Sequence, residues 1–121
     1  MTSNDIGWPA WIGIVCEDLA AQRSFYGGVL RMRESDAGDG WVQFKLGDGL
    51  LELVQRDRSP QYDRVRYQVG FSVGDMETAR RRMIDAGAQQ IGDVEGGGEA
   101  SGRWCYFRDP EGNVFEIKLR T

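Results

Sequence analysis

Alternating apolar and polar positions recur along the chain, the period-two mark of strands with one buried face. In Trp11–Cys16, Ile12, Ile14 and Cys16 share one face, and Trp11, Gly13 and Val15 the other. In 68–73, Val69, Phe71 and Val73 oppose Gln68, Gly70 and Ser72. In 41–46, Val42, Phe44 and Leu46 are expected inward, with Trp41, Gln43 and Lys45 facing away. In 103–108, Phe107 suits a core, which sends Trp104 and Tyr106 to the opposite side. The last strand, 114–119, follows the turn signal Asp-Pro-Glu-Gly-Asn and sets Phe115, Ile117 and Leu119 against Val114, Glu116 and Lys118. Further short strands are expected near 31–35, 50–54 and 89–94. Gly47-Asp48-Gly49 is a tight-turn signal between two of the strands.

Helical spacing appears twice. Met76, Ala79 and Met83 fall on one face, with Arg80 to Arg82 turned largely outward as a solvated surface. Gly87 is expected to stop that helix in the left-handed region. Asp18 and Asp75 stand where an N-cap is needed to accept orphan backbone N–H groups. When Gly13 is aligned with Gly70, Asp18 falls on Asp75 and Arg23 on Arg80. Leu51-Glu52-Leu53 likewise repeats Phe115-Glu116-Ile117 at the end of each half. The pattern predicts an α+β fold of two βαβββ modules, at about 10–55 and 66–120, within one domain spanning 1–121. The charged stretch 55–66 links them. The glycine-rich run Glu95–Gly102 is expected to be a flexible surface loop rather than a phosphate cradle, because no helix start follows it.

Composition narrows the chemistry. The chain has 121 residues, 40% hydrophobic and 28% charged, as in an ordinary globular domain. A net charge of −4 argues against a nucleic-acid partner. No apolar run approaches the ~20 residues of a membrane span. The start of the chain lacks the basic and apolar regions of a signal peptide, so a cytoplasmic location is expected. Cys16 and Cys105 form no paired motif and are expected to be buried and reduced. Histidine is absent altogether. That removes Ser-His-Asp and Cys-His nucleophile arrangements and every iron site built on two histidines and a carboxylate.

Three stretches carry a family resemblance: Cys16 to Leu30, Val73 to Ala88, and Phe107 to Ile117 with its Asp-Pro-x-Gly-Asn-x-x-Glu signature. Together they resemble the vicinal oxygen chelate superfamily, which includes glyoxalases, extradiol dioxygenases and bleomycin-binding proteins. The resemblance implies two βαβββ modules whose curved mixed sheet surrounds a cleft, usually in a homodimer. In metal-dependent members four side chains ring that cleft, from the first and last strand of each module. The matching positions here are Trp11, Glu52, Gln68 and Glu116.

Trp11 departs from that pattern, since indole donates one hydrogen bond but offers a metal no lone pair. The remaining trio, Glu52, Gln68 and Glu116, supplies only oxygen donors, whereas zinc prefers nitrogen and sulfur. No cofactor is therefore expected; the alternative is a weakly held divalent hard ion at those three residues. Trp11, Trp41, Trp104 and Tyr106 share the parity of the two glutamates, an aromatic wall suited to a planar organic ligand or to a dimer interface. The expected function is binding or sequestering a small, partly aromatic, drug-like molecule, with Trp11, Trp41, Glu52, Gln68, Trp104 and Tyr106 as contacts. This is the antibiotic-resistance role of the bleomycin-binding relatives. The alternative is a lyase or isomerase that uses a weak hard ion, or Glu116 as a metal-free base.

Overall fold

The protein is described by a computed structural model covering residues 6–57, 59–97 and 102–119. The chain divides into two compact units, one of residues 10–68, the other of residues 69–119 together with 6–9. Part of the predicted glycine-rich loop, 98–101, lies outside the described residues.

The first unit contains strand β1 (Ile6–Cys16) from Ala10 onward, then helix α1 (Leu19–Arg23) and a π-helical turn, Ser24–Val29. Strands β2 (Glu34–Gly38), β3 (Trp41–Leu46) and β4 (Gly49–Gln55) follow. Its strands lie in the order β2-β3-β4-β1, with β1 parallel to β4 and the other pairs antiparallel. Asp18 caps α1 by accepting from the Ala21 N–H. Gly27 and Gly28 fall within the π-helical turn that follows, and glycine weakens helical propagation. Its final turn widens instead, with Leu30 N–H reaching the Phe25 carbonyl.

The second unit repeats this plan. Strand β5 (Tyr67–Val73), from Val69 onward, leads into helix α2 (Met76–Asp85), then β6 (Gln89–Gly96), β7 (Arg103–Arg108) and β8 (Val114–Leu119). The order is β5-β8-β7-β6, again with the first and last strands of the module parallel. Asp75 caps α2 by accepting from Glu77 N–H and from the Thr78 hydroxyl. The helix ends in a Schellman arrangement, in which Ala88 N–H bonds the Met83 carbonyl and Gly87 N–H the Ile84 carbonyl. Gly87 has φ of 93°, a conformation that a side chain would strain.

Each sheet buries its helix-facing side. In the first unit Ile14, Cys16, Val42, Phe44 and Leu53 form the core, with Leu19, Tyr26 and Met32 packed against them. In the second, Val73, Met76, Ala79, Cys105, Phe107 and Ile117 do so, joined by Met83 and by Ile6 from the start of β1. Phe115 stacks on Phe107 and meets Phe71 edge-on. Each fully buried Phe, Leu or Val contributes about 1.5–3 kcal/mol. The strand parities thus stand, except at two places. Ile12 and Leu46 share the core parity yet are 43% and 46% exposed.

The repeat is legible in the strand registers. Gly13 pairs with Glu52 across β1 and β4, as Gly70 pairs with Glu116 across β5 and β8. Gln43 lies opposite Glu52, as Tyr106 lies opposite Glu116. Trp41 pairs with Val54, as Trp104 pairs with Lys118. Glu52 and Glu116 are therefore module equivalents, as are Trp41 and Trp104. Trp11 and Gln68 match too, each standing two residues before its glycine. Among the described residues no helix is long and apolar enough to cross a membrane.

Candidate functional site

In the first unit, the sheet face opposite the core holds a polar cluster. Glu52 projects there because its neighbours Leu51 and Leu53 take the other parity. Its Oε1 accepts the indole N–H of Trp11 at 2.8 Å and the side-chain amide N–H of Gln43 at 3.0 Å. Trp11 reaches it by lying flat over Gly13. A Cβ at residue 13 would overlap the indole ring. The space that Gly13 leaves on this face is filled by the indole. Trp11 is correspondingly buried, at 5% exposure, whereas Glu52 and Gln43 are half-buried.

Trp41 repeats the device beside that cluster. Its indole lies against Gly38 of β2, where a Cβ would again overlap the ring. It remains half-buried. Gln68 is almost fully buried, and its side-chain amide N–H donates to the Gln61 carbonyl. Its Oε1 has no hydrogen-bond partner among the described residues.

The second unit presents the equivalent face with different chemistry. Glu116 is buried, at 5% exposure, and so is Tyr106, which lies opposite it. Trp104 lies against Gly96 of β6, as Trp41 lies against Gly38. Here the ring has a further neighbour: the Lys118 ammonium stands 5.6 Å from its centroid, a cation–π contact. The turn before β8 is built by Asp109, whose carboxylate accepts from the Glu111 and Asn113 backbone N–H groups and from the Asn113 side chain. The Asn113 side-chain bond, with those backbone bonds, holds the Asp109 pKa below its ordinary value of 3.8. The turn thus sets the strand that carries Glu116.

The two cysteines are free and buried. Burial pushes the Cys105 thiol up to about 11 and raises that of Cys16, so neither is a ready nucleophile.

The chemistry of the donor set decides how well a metal fits. Trp11, expected from the resemblance to stand at a ligand position, spends its N–H on Glu52 and has no lone pair to give. Glu52 Oε1 is already held by two N–H donors. Among the described residues no three of His, Cys, Asp and Glu gather as a metal cluster would. A transition-metal ion does not suit these residues. Sequence reasoning missed two participants, Gln43 and Lys118. Both carried a signal, since each shares its face with a glutamate, Gln43 directly opposite Glu52 and Lys118 two residues beyond Glu116.

Comparison with known proteins agrees with the α+β fold. No curated protein matches the chain by sequence. Among solved structures, a methylmalonyl-CoA epimerase in complex with methylmalonyl-CoA and NH4+ superposes with a TM-score of 0.76 at 18% identity, covering 96% of each chain. A glyoxalase/bleomycin resistance protein/dioxygenase superfamily member from Vibrio splendidus 12B01 gives 0.68 at 18% identity, over 90% of this chain and 96% of that one. A Mn(II)-bound glyoxalase from Novosphingobium aromaticivorans gives 0.74 at 15% identity, over 95% of this chain but 39% of that longer one. At such identities the likeness establishes the fold alone. The glyoxalase-like domain model matches residues 11–118. With paired βαβββ modules in equivalent register and a glutamate at the same place in each last strand, the chain belongs to the glyoxalase-like domain family, within the vicinal oxygen chelate superfamily.

Proposed function

We propose that the protein binds a small, partly aromatic molecule on the strand faces that carry Trp41 and Trp104, without a transition-metal ion. The observation that carries this reading is the Trp11–Glu52 hydrogen bond, which replaces a metal–ligand contact with an internal one. Two half-buried indoles at equivalent module positions, Trp41 and Trp104, supply flat apolar surface for a planar ligand. Further proposed contacts are Gln68 in the first unit and, separately, Tyr106 and Glu116 in the second. Sequestration of a drug-like compound, as in antibiotic resistance, is one use of such a site. We read the protein as a cytoplasmic homodimer. Two buried free thiols favour a reducing compartment, and the exposed apolar residues Phe25, Val29 and Leu30 favour self-association.

A second reading rests on Glu116. A carboxylate this buried is a candidate general base for a lyase or isomerase. Calorimetric titration of planar aromatic compounds against the unaltered protein and the W41A, W104A and E116Q variants tests the two. Binding predicts saturable heats that weaken about fivefold in W41A or W104A, the worth of roughly 1 kcal/mol of stacking, and persist in E116Q. Turnover abolished by E116Q with binding retained would favour the enzyme.

A further inference from the structure

We infer that Glu52 recognises a protonated amine of the ligand through its Oε2, and that Trp11 and Gln43 are positioning residues that hold the carboxylate by Oε1. The inference rests on the binding reading above and names the ligand chemistry. The two oxygens of Glu52 are used unequally. Oε1 accepts both N–H donors, from Trp11 and from Gln43. Oε2 accepts no hydrogen bond, and Glu52 makes no ion pair, among the described residues. A half-buried carboxylate fixed through one oxygen presents the other in a set direction, so the ordering of the side chain is already done before a ligand arrives.

The donors are neutral. An indole and a carboxamide satisfy Oε1 without neutralising the charge, so the carboxylate keeps its attraction for a cation. A charged N–H donor forms a stronger bond to it than a neutral hydroxyl does. Trp41 adds a ring on the same sheet face, and an aromatic surface favours a cation over an anion. The equivalent position in the second unit differs, since Lys118 already stands over Trp104. Amine recognition is therefore assigned to the first unit alone.

The experiment uses three matched probes, 2-naphthylmethylamine, 2-naphthylmethanol and 2-naphthoate. Each is titrated by calorimetry and by the indole N–H resonances of isotope-labelled protein, at matched salt because charge attraction is screened. The amine is expected to bind about tenfold tighter than the alcohol, the worth of one charge-assisted hydrogen bond, and to shift the Trp11 indole N–H resonance. E52Q keeps the shape and is expected to bring amine and alcohol within about twofold. W11F and Q43L are expected to shrink the amine preference without abolishing binding of the alcohol, an effect that loss of fold would not give. Equal binding of amine and alcohol to the unaltered protein, or an unchanged preference in E52Q, overturns the inference while the binding reading stands. Absence of saturable binding by all three probes overturns both.

Discussion

Trp11 donates its indole N–H to Oε1 of Glu52 at 2.8 Å, joining residues 41 apart in sequence across the first unit. The bond is part-buried and one of its partners is charged, so it contributes more than a surface contact does. Replacing Trp11 by Phe keeps a ring over Gly13 but removes the donor. Gln43 still satisfies Glu52 Oε1, which limits the cost. W11F is expected to lower stability by about 1–2 kcal/mol, read as a lower urea midpoint at unchanged slope. An unchanged midpoint would mean that the bond does not form in solution.

The repeat was legible because period two fixes the face of each residue, and the same glycine and glutamate positions recur in both modules. The helix caps Asp18 and Asp75 were legible for a local reason, since a cap reads only its own first turn. The packing of the indoles was not. Parity says that Trp11, Trp41 and Trp104 lie on the outer faces; it does not say that each turns onto a glycine of its own or a neighbouring strand. That choice of rotamer depends on contacts between strands. The same limit hid the bond from Trp11 to Glu52, and period two alone did not reveal that Ile12 and Leu46 are exposed despite their core parity.

The Asp109 turn predicts an acid dependence. The side-chain bond from Asn113 depresses the Asp109 pKa in the folded state, with the backbone N–H groups assisting. A depressed carboxylate contributes stability that is fully present above its unfolded value, near 3.8, and is lost as pH falls through the lower folded value. N113A is expected to bring the Asp109 pKa back toward the ordinary range and to flatten that part of the acid dependence. Carboxyl carbon NMR titration of Asp109, with and without the substitution, reads the shift directly; the same titration curve in both proteins would contradict it.

Burial governs the thiols. With Cys105 pushed up to about 11 and Cys16 also raised, both stay protonated and enclosed near neutral pH. A chromogenic disulfide reagent is expected to label neither cysteine in the native protein while labelling both at once after urea unfolding. Rapid native labelling of either residue would place it at the surface.

The donor set predicts weak metal binding that a substitution can strengthen. Calorimetry with Zn²⁺ is expected to give no stoichiometric binding to the unaltered protein. In W11H/Q68H, imidazole nitrogens replace an indole and an amide at two positions that the family resemblance aligns with metal ligands, and one of the two donors to Glu52 Oε1 is removed. That variant is expected to bind Zn²⁺ with micromolar or tighter affinity. Tight stoichiometric Zn²⁺ binding by the unaltered protein would show that Trp11 releases Glu52.

Binding of a planar molecule without a metal is tested most directly by titrating Trp emission with planar aromatic compounds in the presence of EDTA. Trp41 and Trp104 are half-buried, so a ligand stacked on them excludes water and changes their emission. Saturable quenching is expected, with the same midpoint whether EDTA is present or absent, and weakened about fivefold when Trp41 or Trp104 is replaced by Ala. Quenching that fails to saturate for every compound, or that appears only when a divalent ion is supplied, would contradict it.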